Sequence, residues 1–225
     1  MAITYGAKLF ESTSLTRGIS HTVLSTVKEG ALICIALAGK RSGAYLNVAS
    51  IVDSKGNVYE WEVAPSEYRM TGVAWTQTKA AMTVGDTIKI TWNGTPSYAW
   101  KSAHTFEGAD DSETEKDHAY GASSTAAITL DVDGSDWLTF ASVMAPYADG
   151  PTLTPLNSST SRDSNGASSR PFTECFSRNG TTGTTHTIGA SGIPGGSWSI
   201  TGVSFPFKAM PSTTTTTLLG GFIGI

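Results

Sequence analysis

Residues 30–39 read Gly-Ala-Leu-Ile-Cys-Ile-Ala-Leu-Ala-Gly, an unbroken apolar run between two glycines. The run has the length of a strand in the centre of a sheet. Further along the chain, residues 46–52 and 57–63 flank the turn sequence Asp-Ser-Lys-Gly of residues 53–56. These two segments predict a β-hairpin in which Gly56 supplies a positive φ angle.

Strand-like segments continue through the chain at spacings of about 8–12 residues, which is typical of a sandwich or a jelly roll. They lie at residues 71–78, 87–92, 98–106, 124–132, 136–144, 171–178, 184–188 and 197–208. The connections are too short for crossover helices, so we expect antiparallel sheets. Because no fixed-period repeat and no composition shift mark a boundary, we predict one all-β sandwich domain, jelly-roll-like, over residues 1–210. Its long loops are predicted at 107–118 and 149–169.

Composition excludes several kinds of partner. Charged residues make up 15% of the 225 residues, against about 25% in an average globular protein, and this leaves few helix-forming surfaces. The net charge of −4 without clustered Lys and Arg argues against nucleic acid. No apolar run approaches the ~20 residues of a membrane span. The start of the chain has no secretory signal, so we expect synthesis in a cytoplasm and no membrane insertion.

The tail at residues 211–225 is predicted to be an extended C-terminal arm. Five consecutive threonines, residues 213–217, favour an extended backbone, and no charge follows Met210. Five large apolar residues would each cost about 1.5–3 kcal/mol in water relative to burial. These candidate docking residues are Leu218, Leu219, Phe222, Ile223 and Ile225. Such an arm either completes its own core or docks onto a neighbouring subunit, and the polar linker favours the neighbour.

Motifs for catalysis fail on spacing. Residues 189–192 lack the last glycine of a nucleophile elbow, and residues 39–42 lack the upstream glycine of a phosphate loop. The four histidines are too far apart in sequence to share one face of an element, although long-range convergence stays open. We therefore predict a protein that is not an enzyme and has no cofactor.

Two features leave alternatives open. Asp131, Asp133 and Asp136 resemble part of a calcium loop, but the glycine falls at the wrong position, so a turn is the favoured interpretation. Cys34 and Cys175 are favoured as buried, reduced thiols, while a disulfide would require neighbouring strands.

The six tryptophans suit either a core or an aromatic platform for sugar rings, and the core is favoured overall. Tyr98 and Trp100, beside Pro96, are the aromatic pair predicted to be exposed and to form a glycan platform.

Residues 30–38, 52–59 and 84–90 combine a strand, an Asp-Ser-Lys-Gly-Asn turn and another strand. Over about residues 30–108 this pattern resembles β-sandwich modules of tailed-bacteriophage virion proteins, of the capsid decoration or minor tail type, and modules of bacterial surface proteins. The resemblance implies a structural or adhesive role and brings no catalytic residues.

The resulting expectation is a virion structural protein that contacts capsid or tail subunits and copies of itself through loops and the arm. The alternative is a carbohydrate-binding or adhesion module that uses exposed aromatics on a host-surface glycan. A hydrolase with widely separated residues is the least favoured class.

Overall fold

The structure, a computed structural model, consists of β-strands and their connections. It describes residues 2–65, 69–132, 134, 136–147, 153–165, 171–193 and 197–208. Within these ranges there are sixteen strands and no helix, which confirms the all-β prediction. The strands are β1 (Thr4–Ser12), β2 (Gly18–Thr22), β3 (Leu32–Lys40), β4 (Val48–Asp53), β5 (Glu60–Pro65), β6 (Met70–Gln77), β7 (Thr87–Trp92), β8 (Tyr98–Glu107), β9 (Glu115–Gly121), β10 (Thr125–Asp131), β11 (Trp137–Tyr147), β12 (Thr154–Pro155), β13 (Thr160–Asn165), β14 (Pro171–Gly180), β15 (Thr185–Ser191) and β16 (Trp198–Pro206).

The strands form four antiparallel sheets in two units. The first unit has a five-stranded sheet in the order β1-β8-β3-β6-β5 and a three-stranded sheet in the order β2-β7-β4. The second unit has a five-stranded sheet, β13-β14-β11-β16-β9, and a three-stranded sheet, β10-β15-β12. All strand pairings of the described residues are antiparallel, as predicted.

The second unit repeats the strand order of the first. If β9 to β16 are matched in turn to β1 to β8, both sheets of the second unit have the order of their counterparts. The sequence shows no repeat at a fixed period, because two segments can adopt the same strand order without matching residues. The two units share a core, so the repeat does not decide the single-domain prediction.

The sheets stack in four layers with three apolar cores. One core lies inside each unit, between its three-stranded and five-stranded sheets. The third core joins the units: Trp75 and Phe106 of the first pack with Phe140 and Phe205 of the second. The rings of Trp75 and Phe205 meet edge-on at 5.8 Å, as do those of Phe106 and Phe140 at 6.0 Å. Each buried aromatic contributes about 1.5–3 kcal/mol, so the two five-stranded sheets form one slab.

This layering explains the apolar run at residues 30–39. Antiparallel sheets commonly leave one face in water, but β3 lies at the centre of a sheet that is covered on both faces. Ile33, Ile35 and Leu37 point into the first unit's own core. Leu32 and Cys34 point into the core between the units. The predicted central strand is therefore confirmed.

The predicted hairpin at residues 46–63 is only partly right. Gly56 does have a positive φ, 76°, but the two segments share one bridge, Val52 to Val58, and then separate. β4 continues beside β7, whereas β5 continues beside β6 in the other sheet. Sequence alternation identifies the strands but not which sheet each one joins.

Parts of both predicted loops are strands. Residues 115–118 belong to β9, and residues 154–155 and 160–165 form β12 and β13. β9 and β13 are edge strands of the second five-stranded sheet. Edge strands carry polar side chains that resemble loop sequence, so composition alone classified them wrongly.

Candidate functional site

A chain of buried polar side chains crosses the boundary between the units. Strand β8 turns Ser102 and His104 toward the second unit, since the alternating Ala99 and Ala103 face the first unit's core. The Ser102 hydroxyl donates to the Asp163 carboxylate at 2.7 Å and lies 2.9 Å from His104 Nε2. Ser102 and His104 are both fully buried.

His104 has partners from both units. Its Nδ1 lies 3.2 Å from the Tyr5 hydroxyl on β1, and its Nε2 lies 3.5 Å from the Cys175 sulfur on β14. A serine hydroxyl has one proton, which Ser102 gives to Asp163. Nε2 must therefore donate to Ser102, and Nδ1 accepts from Tyr5. The hydrogen bonds run in one direction, from Tyr5 through His104 and Ser102 to Asp163.

The protonation states of this network do not favour nucleophilic chemistry. Burial lowers the pKa of His104 to about 4, and the nearby Asp163 only partly opposes that effect. Burial also raises the pKa of the Cys175 thiol well above its usual range. A reactive cysteine needs the thiolate, and a Ser–His pair needs an imidazole that accepts the hydroxyl proton. Here the thiol stays protonated and His104 donates, so the network ties the units together.

The outer end of the network reaches the rim where β1 meets β13. The Lys8 ammonium lies 3.3 Å from the Asp163 carboxylate. The Arg162 guanidinium lies over the Tyr5 ring, 4.2 Å from its centroid, and Arg162 Nε donates to the Ser177 hydroxyl at 2.5 Å. At this rim, the Arg162 guanidinium covers the Tyr5 ring, and Lys8 is paired with Asp163.

The opposite rim, where β5 meets β9, leaves aromatic rings open to solvent. The Glu62 carboxylate of β5 accepts a hydrogen bond from His118 Nδ1 of β9 at 3.2 Å. The His118 ring meets Tyr120 edge-on at 5.8 Å. Tyr120 is 46% exposed and Tyr45 is 55% exposed. Partial burial, then Glu62 and then Tyr45 raise the pKa of Tyr120, which places all three side chains in one electrostatic neighbourhood. Tyr45, Glu62, His118 and Tyr120 are called the rim cluster below.

Tyr98 and Trp100 are buried, so the prediction that they form an exposed glycan platform is wrong. Tyr98 is 5% exposed and Trp100 is 0% exposed, because both belong to the core between the units. The Tyr98 hydroxyl lies 3.1 Å from the Thr173 hydroxyl, and Trp100 Nε1 donates to Glu11 at 3.2 Å. Pro96 marks the turn before β8 and not an exposed surface. The core interpretation holds for the other tryptophans, with Trp61 half-buried and the rest buried.

The remaining predicted sites have mixed outcomes. Cys34 and Cys175 are free and buried, as the favoured interpretation had them. Asp133 and the arm residues lie outside the described residues: Leu218, Leu219, Phe222, Ile223 and Ile225. Among the side chains that the structure describes, no three His, Cys, Asp or Glu residues lie close enough to hold a metal ion.

Sequence reasoning missed the network and the rim cluster. The available signal for the network was that Ser102 and His104 put polar groups on the Trp100 face of an apolar strand. Their partners come from strands 61 to 99 residues away.

No known protein-family model, curated protein or solved structure matches the chain. The described residues contain no helix long and apolar enough to cross a membrane. The assignment of a function therefore rests on the residues themselves.

Proposed function

We propose that this chain is a structural protein of a phage virion, a capsid decoration or minor tail subunit. The observation that carries the proposal is the repeated eight-strand unit, whose two copies share one apolar core. Each unit is an eight-stranded antiparallel sandwich, and the eight-stranded jelly roll is an architecture used by viral capsid proteins and lectins. A four-layered slab with its polar network buried suits a building block better than an enzyme, which needs an accessible cleft.

The arm supplies the means of attachment in this proposal. Residues 211–225 contain no charge and end in large apolar side chains that gain free energy when a partner surface covers them. Capsid or tail subunits and further copies of the chain are the partners. The proposed role involves no cofactor, no nucleic acid and no membrane insertion.

Incorporation into particles tests the proposal. Particles purified from a lysate of cells that express the gene should contain the chain by mass spectrometry, at a copy number of several per particle. Deleting residues 213–225 should abolish incorporation while the circular dichroism spectrum stays that of a β protein. Particles that lack the full-length chain would overturn the assignment, and normal incorporation of the deletion variant would overturn the role of the arm.

Glycan binding is the second candidate function, and the rim cluster favours it. Exposed tyrosine rings stack on the apolar face of a sugar, while the Glu62 carboxylate accepts hydrogen bonds from sugar hydroxyls. A glycan array should report binding that is lost in Tyr45→Ala and Tyr120→Ala. Leu24→Ala, which removes an exposed apolar side chain outside the cluster, should bind like the unmodified chain. An array without signal would remove this candidate.

A further inference from the structure

A lysine is buried in the core of the first unit. Lys101 lies between Ala99 and Ala103 in the alternation of β8, so its side chain enters the core to which these two alanines belong. The side chain is 0% exposed, and its ammonium donates a hydrogen bond to the backbone carbonyl of Ser14 at 3.0 Å. Among the described residues no carboxylate pairs with it. Buried charges in proteins are normally paired.

The charge of Lys101 persists at neutral pH. Burial lowers the pKa of its ammonium to about 8. An amine with that pKa is still mostly protonated at pH 7. The first unit therefore holds a positive charge in its core, and a buried charge without a counter-charge is strongly unfavourable.

A second donor lies beside this ammonium. Lys101 Nζ is 5.8 Å from the centre of the Trp92 ring, close to the ~6 Å limit of a cation–π contact, so the ring offsets little of the cost. Trp92 is fully buried, and its Nε1–H has no acceptor within the part of the chain that the structure describes. An indole nitrogen only donates. The two neighbouring groups therefore both require an acceptor.

A third polar group approaches from β2. The His21 ring stacks on Phe10 at 4.5 Å, and Phe10 pairs with Ala103, two residues along β8 from Lys101. His21 is 6% exposed, and its Nε2 has no hydrogen-bond partner in the described ranges. Burial and then the charge of Lys101 lower the pKa of His21 to about 4, so the imidazole is neutral and lies in the field of the ammonium. A neutral imidazole donates through one of its nitrogens, and Nε2 can be that donor.

The fold itself does not require a charge in this place. Strand β16 has the position in the second unit that β8 has in the first. It turns Trp198 and Ile200 into the second unit's core, and both are buried and uncharged. A sandwich of this strand order is therefore stable with apolar side chains there. Departures from such packing rules concentrate at functional sites.

We propose that the core of the first unit binds one small monovalent anion, of the size of chloride, between the Lys101 ammonium, Trp92 Nε1–H and His21 Nε2–H. One negative charge neutralises the ammonium, whereas a divalent anion such as sulfate would leave a buried negative charge. All three side chains are more than nine-tenths buried, so the site encloses its ion and does not admit a large organic anion. The site does not depend on the proposed function.

The chloride dependence of stability tests the site. Urea unfolding of the full chain is followed at pH 7 in mixtures of sodium chloride and sodium gluconate at constant total sodium, so that screening does not change. Above the dissociation constant, each tenfold rise in chloride should favour the folded state about tenfold. Lys101→Met, which keeps the length of the side chain but not its charge, should show no response to chloride. Lys89→Met is the matched control, because Lys89 is exposed on the outer face of β7 and its loss should leave the response intact.

Two results of this titration would overturn the proposal: equal stability of the unmodified chain in both salts, or the same chloride response in Lys101→Met. Trp92→Phe keeps the aromatic ring and removes the N–H, so it tests the site even if Lys101→Met does not fold. It should need about tenfold more chloride for the same stabilisation, since a hydrogen bond to a charged group is lost. An unchanged chloride requirement in Trp92→Phe would contradict the role of the indole.

Crystals of the unmodified chain grown in sodium bromide locate the ion. Bromide scatters anomalously, so an anomalous difference peak should lie within about 3.5 Å of Lys101 Nζ. Density there without an anomalous signal would identify a water molecule and overturn the anion site. A peak without chloride dependence in solution would mean binding at crystal concentration only, which also contradicts the proposal.

Discussion

Replacing His104 with glutamine is expected to remove part of the acid sensitivity of the fold. His104 is fully buried between the units and neutral, with a pKa of about 4 against 6.5 when it is exposed to water. Between these values the unfolded chain binds a proton that the folded chain does not bind. The free energy of unfolding is therefore at its full value above pH 6.5, and it decreases as the pH falls from 6.5 toward 4.

The size of the effect follows from the two pKa values. At about 1.4 kcal/mol for each unit between them, His104 accounts for about 3 kcal/mol once the pH is below 4. At pH 5 the same relation gives about 2 kcal/mol. Glutamine has no proton to gain in this range, yet its amide keeps a donor and an acceptor for Ser102 and Tyr5.

Urea unfolding at pH 7.5 and pH 5 measures this contribution. Between pH 7.5 and pH 5, the free energy of unfolding of the unmodified chain should fall by about 2 kcal/mol more than that of His104→Gln. His21 and Glu174 also have shifted pKa values, but they are common to both proteins and cancel in the difference. His118→Gln, at the solvent-exposed rim, is the control and should follow the unmodified chain. A difference between the unmodified chain and His104→Gln that stays constant within about 0.5 kcal/mol would refute the buried, neutral histidine.

Three further substitutions test other parts of the fold by the same urea assay. Glu174→Gln should show the opposite pH dependence, because burial raises the pKa of Glu174 to about 7. The free energy of unfolding of the unmodified chain should therefore fall by about 3 kcal/mol as the pH rises from 4.5 through 7. That of the variant should not show this decrease. Phe140→Ala should cost about 3–5 kcal/mol, because Phe140 is fully buried where the units meet; a cost below 1 kcal/mol would contradict the shared core. Gly189→Ala should cost more than about 1 kcal/mol, because Gly189 has a φ of 148° and a Cβ there would clash with the carbonyl of Ala126. Gly134→Ala, whose Cβ would meet only Gly183 O at 3.9 Å, is its control and should be near neutral.

The sequence predicted the fold class because the local signals are physical requirements of strands. The run at residues 30–39 must be buried on both faces, and the glycine of the turn at residues 53–56 must take a positive φ. Pairing is different, because residues 46–52 alternate in the same way whether β4 pairs with β5 or with β7. Which strand β4 pairs with depends on the apolar area that residues far away in sequence bury. The sequence of β4 alone does not contain that information.

The candidate sites were predictable to a smaller degree. Trp100 seemed suited to a platform because the neighbouring proline indicated a turn, but a second sheet covers it. Trp100 belongs to a core that includes residues of the other unit, far away in sequence. Tyr45 and Tyr120 are single aromatics in polar sequence, and Tyr120 lies near Glu62 only because β9 meets β5. Single exposed aromatics are common in proteins, so neither carries a signal alone.

The repeated fold does not give the slab two equivalent rims. At the β1 and β13 rim, Arg162 covers Tyr5 and Lys8 pairs with Asp163, so charged groups close the surface. At the β5 and β9 rim, Tyr120 stays exposed beside Glu62. An apolar groove next to Val58 is lined in part by Trp61 of β5. A partner that binds through aromatic or apolar contacts therefore finds suitable surface along β5 and not at the opposite rim. Under the proposed function, this asymmetry favours attachment through the β5 edge of the slab, and substitutions along β5 should lower incorporation into particles more than substitutions of similar exposure along β13.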